Sequence, residues 1–330
     1  MPYNTSLNNS AVLAADAGNF RNIALDVFRY QHENNALYRE YCNALHVNAA
    51  RINLLPQIPF LPVSFFKTHK VITGNNGTAE LVFESSGTTG DQASRHYVTD
   101  AAIYRSSLLQ GFKEFYEDPA ECVILALLPS YLERQNASLV YMAKTLMEQS
   151  GHADNGFYIS EWAKLSEVLV RLEKSKQKVL LLGVTFALLD FADAFPMPLS
   201  NTIVMETGGM KGRREELTRA EVHAILKKKW QLNEVHSEYG MTELLSQAYA
   251  TAGGIFKCTS TMRVLARDIN DPLEVLEHGT GCLNIIDLAN INSCSFIATE
   301  DIGDIASDGS FEVLGRMDHS ALRGCSLMTV

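Results

Sequence analysis

The chain has 330 residues, is 46% hydrophobic and only 20% charged, and carries 38 acidic against 28 basic residues for a net charge of −10. Such a length supports a large buried core, while no apolar run is long enough to span a bilayer. No basic block or basic-aromatic stripe offers the electrostatic footprint that a nucleic acid requires.

The start, MPYNTSLNNS, lacks a basic segment followed by an apolar one, so the expected location is cytoplasmic. Helical periodicity comes first: Phe20, Ile23, Ala24, Val27 and Phe28, then Leu37, Tyr38, Tyr41, Cys42 and Leu45, fall on one face and predict an amphipathic layer. IPFLPVSFFK brings two prolines into an apolar run and reads as an extended crossover. From about residue 80 to 240, the runs LVFES, CVILALLPS, KVLLLGV, TIVMETGG and NEVHSEYG read as strands. Between them lie helices with apolar faces at Leu139–Met147, Trp162–Leu172 and Leu217–Leu226. Near-continuous apolar strands separated by helices predict a mostly parallel sheet buried on both faces, with ligands at strand C-termini. After Ala250, RVLARD, GCLNIIDL, SFIATED and SFEVLGR, joined by turns such as Asp308-Gly309, predict a small antiparallel β subdomain. The expected fold class is therefore a multilayer α/β domain. It divides into a helical N-terminal layer (1–78), an α/β nucleotide-binding part (79–250) and a β-rich subdomain and tail (251–330).

Six cysteines, Cys42, Cys122, Cys258, Cys282, Cys294 and Cys325, show neither C-x-x-C pairs nor zinc spacing. Cys122, Cys282 and Cys294 sit in apolar runs, where a thiol acts as a small buried hydrophobe.

The stretch FESSGTTG runs a strand into Ser85, Ser86, Gly87, Thr88, Thr89 and Gly90. Hydroxyls supply donors, and the glycines let backbone N–H groups approach an anion closely, which is the chemistry of a phosphate cradle. Asp91 follows, so the lysine of a P-loop is missing. A Ser/Thr-rich turn that satisfies its own backbone is the competing reading, and the loop alone does not decide between them.

Together with EYGMTE (Glu238–Glu243) and the later TEDIGDIASDGSFEVLGRMD, this loop resembles the three signature motifs of the acyl-adenylate-forming enzymes, in their order and approximate spacing. RGCSLM and IPFLPVSFFK resemble more narrowly the acyl-protein synthetase, or luciferin-component ligase, family. The resemblance implies the fold of the superfamily's large N-terminal domain and implies ATP and Mg²⁺ as cofactors. It assigns residues 85–90 to the ATP β/γ-phosphates, with Arg95 in place of the usual loop lysine. Gly208 and Gly209 would lie against adenine, Tyr239 would stack on it, and Thr242 would touch the α-phosphate. Glu243 would ligate Mg²⁺, Asp301 would accept from the ribose hydroxyls, and Arg316 would add a ribose or phosphate contact. Asp304 is read as a turn residue. On the residues alone, Glu243 reads first as a solvated carboxylate at a helix start, and an ordinary surface cation is the alternative for Arg316.

The implied reaction is ATP-dependent activation of a carboxylic acid, of fatty type, to acyl-AMP, which gives the acyl carbon a good leaving group. Full-length superfamily members continue past the G-R-x-D hinge into a small domain whose lysine bridges acid and phosphate, but here only twelve residues follow Asp318. Cys325 is the candidate acceptor, since a thiolate attacks an acyl-adenylate to give a thioester and the family acylates a cysteine near its C-terminus. Nine residues from Arg316 reach at most roughly 30 Å. An acyl-accepting partner protein such as a reductase would follow. Two alternatives stay open: a nucleotide-binding module that needs a partner, and an acyl- or aryl-CoA ligase whose second domain is supplied separately.

Overall fold

Apolar strands between amphipathic helices build the central layer of the computed structural model, which describes residues 7–74, 78–85, 92–128, 136–208 and 217–317. Five strands, Gly156–Phe157, Val123–Leu127, Val179–Val184, Thr202–Thr207 and His236–Tyr239, lie side by side and parallel. Two antiparallel strands, Ala248–Ala250 and Lys257–Cys258, extend that sheet past Tyr239. Every residue of Val123–Leu127 and Val179–Val184 is buried, as a sheet covered on both faces requires.

The expected helices form at Phe20–Asn34, Ala36–Ala44, Ser138–Ser150, Trp162–Lys174 and Arg219–Trp230. Local chemistry sets their ends. The Asn35 side chain accepts from the Tyr38 amide, and Thr218 and Glu221 form a reciprocal capping box. Two further helices escape the periodicity argument. Ala101–Tyr116 packs a face that includes Ser107 and Gly111, so its apolar stripe is interrupted; a methyl group at Gly111 would lie 2.5 Å from the Thr259 side chain. Thr185–Ala194 is buried nearly all round and follows its strand without a break, leaving no amphipathic signal.

The β-rich part forms a second sheet from Met262–Arg267, Val275–Leu276, Gly279–Asp287, Phe296–Ile305 and Phe311–Arg316, paired antiparallel. Leu61–Pro62 joins its far side in parallel to Ile297 and Ala298, so the helical N-terminal layer contributes a strand to it. The expected fold class is borne out, with three local corrections. LVFES does not enter the parallel sheet: Leu81–Glu84 pairs only with Arg95–Val98, as a separate hairpin. IPFLPVSFFK is extended only as far as its second proline, after which Phe65–Thr68 makes a helical turn. Asp304 sits inside a strand, where it accepts from Thr280 Oγ1, a cross-strand pair rather than a turn. Cys122, Cys282 and Cys294 are buried free thiols in strand surroundings.

Candidate functional site

The C-terminal ends of two adjacent parallel strands, Thr202–Thr207 and His236–Tyr239, open onto a cleft of about 670 Å³. Its wall includes Thr207, Gly208, Met241, Thr242 and Glu243 from the strand ends, Glu84, Ser85 and Ser94 from the hairpin, Ser138 and Met142 from a helix, and Arg316 from the second sheet. The sequence-predicted residues Ser85, Gly208, Thr242, Glu243 and Arg316 thus share one cavity. Ser86, Gly87, Thr88, Thr89, Gly90, Gly209 and Cys325 lie outside the described residues.

The hairpin holds the mouth of its loop inside the cleft. Ser85 and Ser94 close the neck: the Ser94 amide donates to Ser85 Oγ (2.9 Å) and the Ser85 amide to the Ser94 carbonyl (3.1 Å). That use of Oγ as an acceptor leaves the Ser85 hydroxyl proton available to a ligand. Arg95, the suggested lysine substitute, does not line the cleft and instead pairs with Glu84 across the hairpin (2.9 Å), both side chains being well exposed. A cation that the sequence reading passed over does line it: Lys67, on the helical turn after the second proline. Its signal was present in SFFK, but only the fold of the crossover directs it here.

Gly208 has φ of +73°, a left-handed conformation that its lack of Cβ permits, and its carbonyl accepts from Thr185 Oγ1. The turn Met241–Leu244 follows Gly240 and carries Thr242 and Glu243. Three side chains fix that turn from behind. Asn290 Nδ2 donates to the Glu243 carbonyl (2.8 Å), Asp287 Oδ2 accepts from the Leu245 amide (2.7 Å), and His96 Nδ1 meets the Thr242 carbonyl (2.9 Å). A carbonyl only accepts, so His96 carries its proton on Nδ1. None of these three was singled out from the sequence, because their importance comes from tertiary hydrogen bonds and not from a motif.

Glu243 is neither solvated nor at a helix start: it is 4% exposed. Burial pushes its carboxyl above the usual range, and the Ser94 hydroxyl and the Arg316 charge pull it back only in part. Tyr239 is packed edge-on against Phe256 and Phe311, and its hydroxyl donates to Asp301 Oδ2 (2.8 Å). Burial likewise raises the Asp301 carboxyl, opposed by the Tyr239 hydrogen bond and by Arg316. Arg316 lies 3.3 Å from Glu300 and 3.9 Å from Asp301, so Tyr239, Asp301 and Arg316 form one connected group at the cleft edge. Among the described residues, the carboxylates of Glu84, Glu238, Glu243 and Glu300 line the cleft together with the cations of Lys67 and Arg316. Magnesium binds through one or two carboxylates plus substrate phosphates, which a single inward carboxylate such as Glu243 fits. Among the described residues there is no cluster of three or more His, Cys, Asp or Glu that could hold a metal alone.

The buried His96 yields a pH prediction. Burial lowers its pKa from 6.5 to about 4, against the pull of its hydrogen bond to the Thr242 carbonyl. The unfolded chain therefore takes up a proton that the folded one refuses. Stability is fully present above pH 6.5 and is lost as pH falls from there to about 4. The loss is about 3 kcal/mol. Urea denaturation across that window should show a shallower pH slope in His96→Asn, by about one proton; an unchanged slope would contradict it.

Among solved structures, the chain is similar to ATP-bound MatB from Rhodopseudomonas palustris, with a TM-score of 0.54 and 15% identity over 74% of this chain and 50% of that one. It is also similar to O-succinylbenzoate coenzyme A synthetase (MenE) from Bacillus subtilis in complex with ATP and magnesium ion, with a TM-score of 0.50 and 14% identity over 71% and 49%. The chain thus spans about half the length of these structures, and the likeness is one of fold. The long-chain-fatty-acid–luciferin-component ligase of Aliivibrio fischeri is 24% identical over 332 residues, which cover 92% of this chain and 85% of that protein. The family described as acyl-protein synthetase, LuxE, matches residues 16–329, so the likeness takes in the helical layer as well as the motifs. With nearly its whole length matched, the chain belongs to the LuxE acyl-protein synthetase family.

Proposed function

We propose that the cleft binds ATP and a carboxylic acid of fatty type, joins them as acyl-AMP with release of pyrophosphate, and passes the acyl group to the thiol of Cys325. The observation that carries this reading is the convergence of Ser85, Gly208, Thr242, Glu243 and Arg316 on one cavity at the ends of parallel strands. Kinship to long-chain-fatty-acid–luciferin-component ligases supports the acid class, and the ATP held by solved structures of the same fold supports the nucleotide.

In the first step an acid oxygen attacks the α-phosphorus, and the bond to pyrophosphate breaks. No general base is required, because the carboxylate is already ionised; the work is positioning and charge stabilisation. The loop 85–90 and the Thr242 hydroxyl donate to phosphate oxygens. Lys67 and Arg316 supply positive charge where the superfamily uses lysines. Glu243 would hold a magnesium ion, whose charge would offset that of the phosphates. Asn290, Asp287 and His96 hold the Thr242–Glu243 backbone so that neither group has to reorganise during the reaction. In the second step the Cys325 thiolate, its proton released to solvent, attacks the acyl carbon and AMP leaves; Arg323, two positions earlier in the sequence, would favour the thiolate. An acyl-accepting partner protein such as a reductase then takes the group onward.

Incubation with MgATP and radiolabelled fatty acid should leave a covalent, hydroxylamine-sensitive label on the wild-type chain and none on Cys325→Ser. Label retained by the serine variant would place the nucleophile elsewhere.

A further inference from the structure

One part of the cleft wall does not suit a plain alkyl chain. Leu139, Met142, Leu244 and Ala137 give it an apolar surface, yet Glu238, Gln247, Thr207 and Tyr104 line the same cavity. Glu238 lies one residue before Tyr239 and is 8% exposed; Gln247 is 4% exposed. Thr207 Oγ1 donates to Glu238 Oε2, which leaves Oε1 without a hydrogen-bond partner among the described residues. Gly240 keeps that oxygen accessible: a Cβ there would stand 2.4 Å from Oε1 and 3.8 Å from Gln247 Cγ, so the two side chains converge on one spot beside the glycine. Gln247 Oε1 is buried with no hydrogen-bond partner. Glu238 Oε1 therefore stands at the cavity wall beside Gly240, with the Gln247 side chain packed next to it and no donor to it among the described residues.

Physical cost makes this arrangement informative. A buried carboxyl oxygen without a donor costs stability, so an unfilled acceptor is not what a fold needs for itself. Burial drives the Glu238 carboxyl up to about 7, the Thr207 hydroxyl pulls it down, and the other charge acting on it, Glu206, is of like sign. The phenols of Tyr104, Tyr116 and Tyr249 are raised by burial and, less, by the Glu238 charge. A donor brought in by the ligand would satisfy what the protein leaves open.

We infer that the acid bound here carries a hydrogen-bond donor, a hydroxyl or an amino group, on its chain, and that Glu238 selects for it. This rests on the acid-activation reading above and narrows its substrate. A plain alkyl chain would bury Glu238 Oε1 unpaired, and a site built around a substrate donor rejects the analogue that lacks it by far more than a hydrophobic pocket discriminates.

The test is acid-dependent ATP–pyrophosphate exchange with decanoic, β-hydroxydecanoic, ω-hydroxydecanoic and β-aminodecanoic acids. At least one donor-bearing acid should exceed decanoic acid in kcat/KM by about tenfold or more. Glu238→Leu should bring that ratio to about one by raising the plain acid and lowering the other. Glu238→Gln, which keeps shape and one acceptor oxygen, serves if the leucine variant fails to fold; it should retain preference for a hydroxyl and lose preference for an amine. Decanoic acid equal to or better than every donor-bearing acid, or a ratio unchanged in Glu238→Leu, overturns the inference while leaving acid activation standing. Exchange with no acid at all overturns acid activation. Thermal stabilisation by the same acids then decides the pocket: greater stabilisation by a hydroxy or amino acid, lost in Glu238→Leu, supports the inference, and equal stabilisation overturns it.

Discussion

Glu243→Gln should reduce acid-dependent ATP–pyrophosphate exchange by roughly a hundredfold to a thousandfold, the range seen when one preorganised electrostatic contact is removed from a reacting centre. The amide keeps the shape of the side chain and loses the charge. Burial already raises the pKa of this carboxyl, so in the free protein the substitution removes a desolvation cost and should leave stability unchanged or slightly increased. The two effects separate function from folding. A thermal scan with and without MgATP checks both: the wild type should gain stability from the nucleotide, and the variant should lose most of that gain. Exchange within a few fold of wild type would remove Glu243 from the metal role.

The second large effect concerns the floor beneath that turn. Asp287 is fully buried and accepts from the Leu245 amide, the Ser246 amide and hydroxyl, the Ala289 amide and Asn290 Nδ2. Asn290 in turn donates to the Glu243 carbonyl, so one carboxylate organises the segment on which the proposed metal ligand rides. Asp287→Ala leaves several buried donors unpaired at once and should cost about 4 kcal/mol, near the upper end of single-residue effects. Asp287→Asn keeps one acceptor oxygen and should cost less than half as much. Urea denaturation at neutral pH measures both. A loss below about 1 kcal/mol for the alanine would mean that water replaces the carboxylate without strain.

Much of this architecture was legible in the sequence, because its signals are local. Val123–Leu127 and Val179–Val184 are continuous apolar runs, which buried parallel strands require. The helices Phe20–Asn34 and Trp162–Lys174 show their buried faces at helical spacing. Motif spacing likewise singled out Ser85, Gly208, Thr242, Glu243 and Arg316, which the fold places around one cavity. What escaped was set by partners distant in the chain. Arg95–Val98 is a strand only because Leu81–Glu84 lies beside it. Thr185–Ala194 is buried over most of its surface and so shows little readable period. His96 and Asn290 look ordinary in sequence and gain their roles from bonds to a turn roughly 50 to 150 residues away. Glu238 was visible as a letter beside the tyrosine of the motif, but nothing in the string shows that its carboxyl faces a cavity together with Gln247.

The account depends on a nucleotide seated between the hairpin and the Met241–Leu244 turn. A crystal structure of the chain with Mg²⁺ and a non-hydrolysable ATP analogue measures that directly. The account predicts phosphates within hydrogen-bonding distance of Ser85 and Thr242 and a magnesium ion at about 2.1 Å from a Glu243 oxygen. A triphosphate bound outside this cleft, or inside it with Glu243 turned away from the metal, would contradict it.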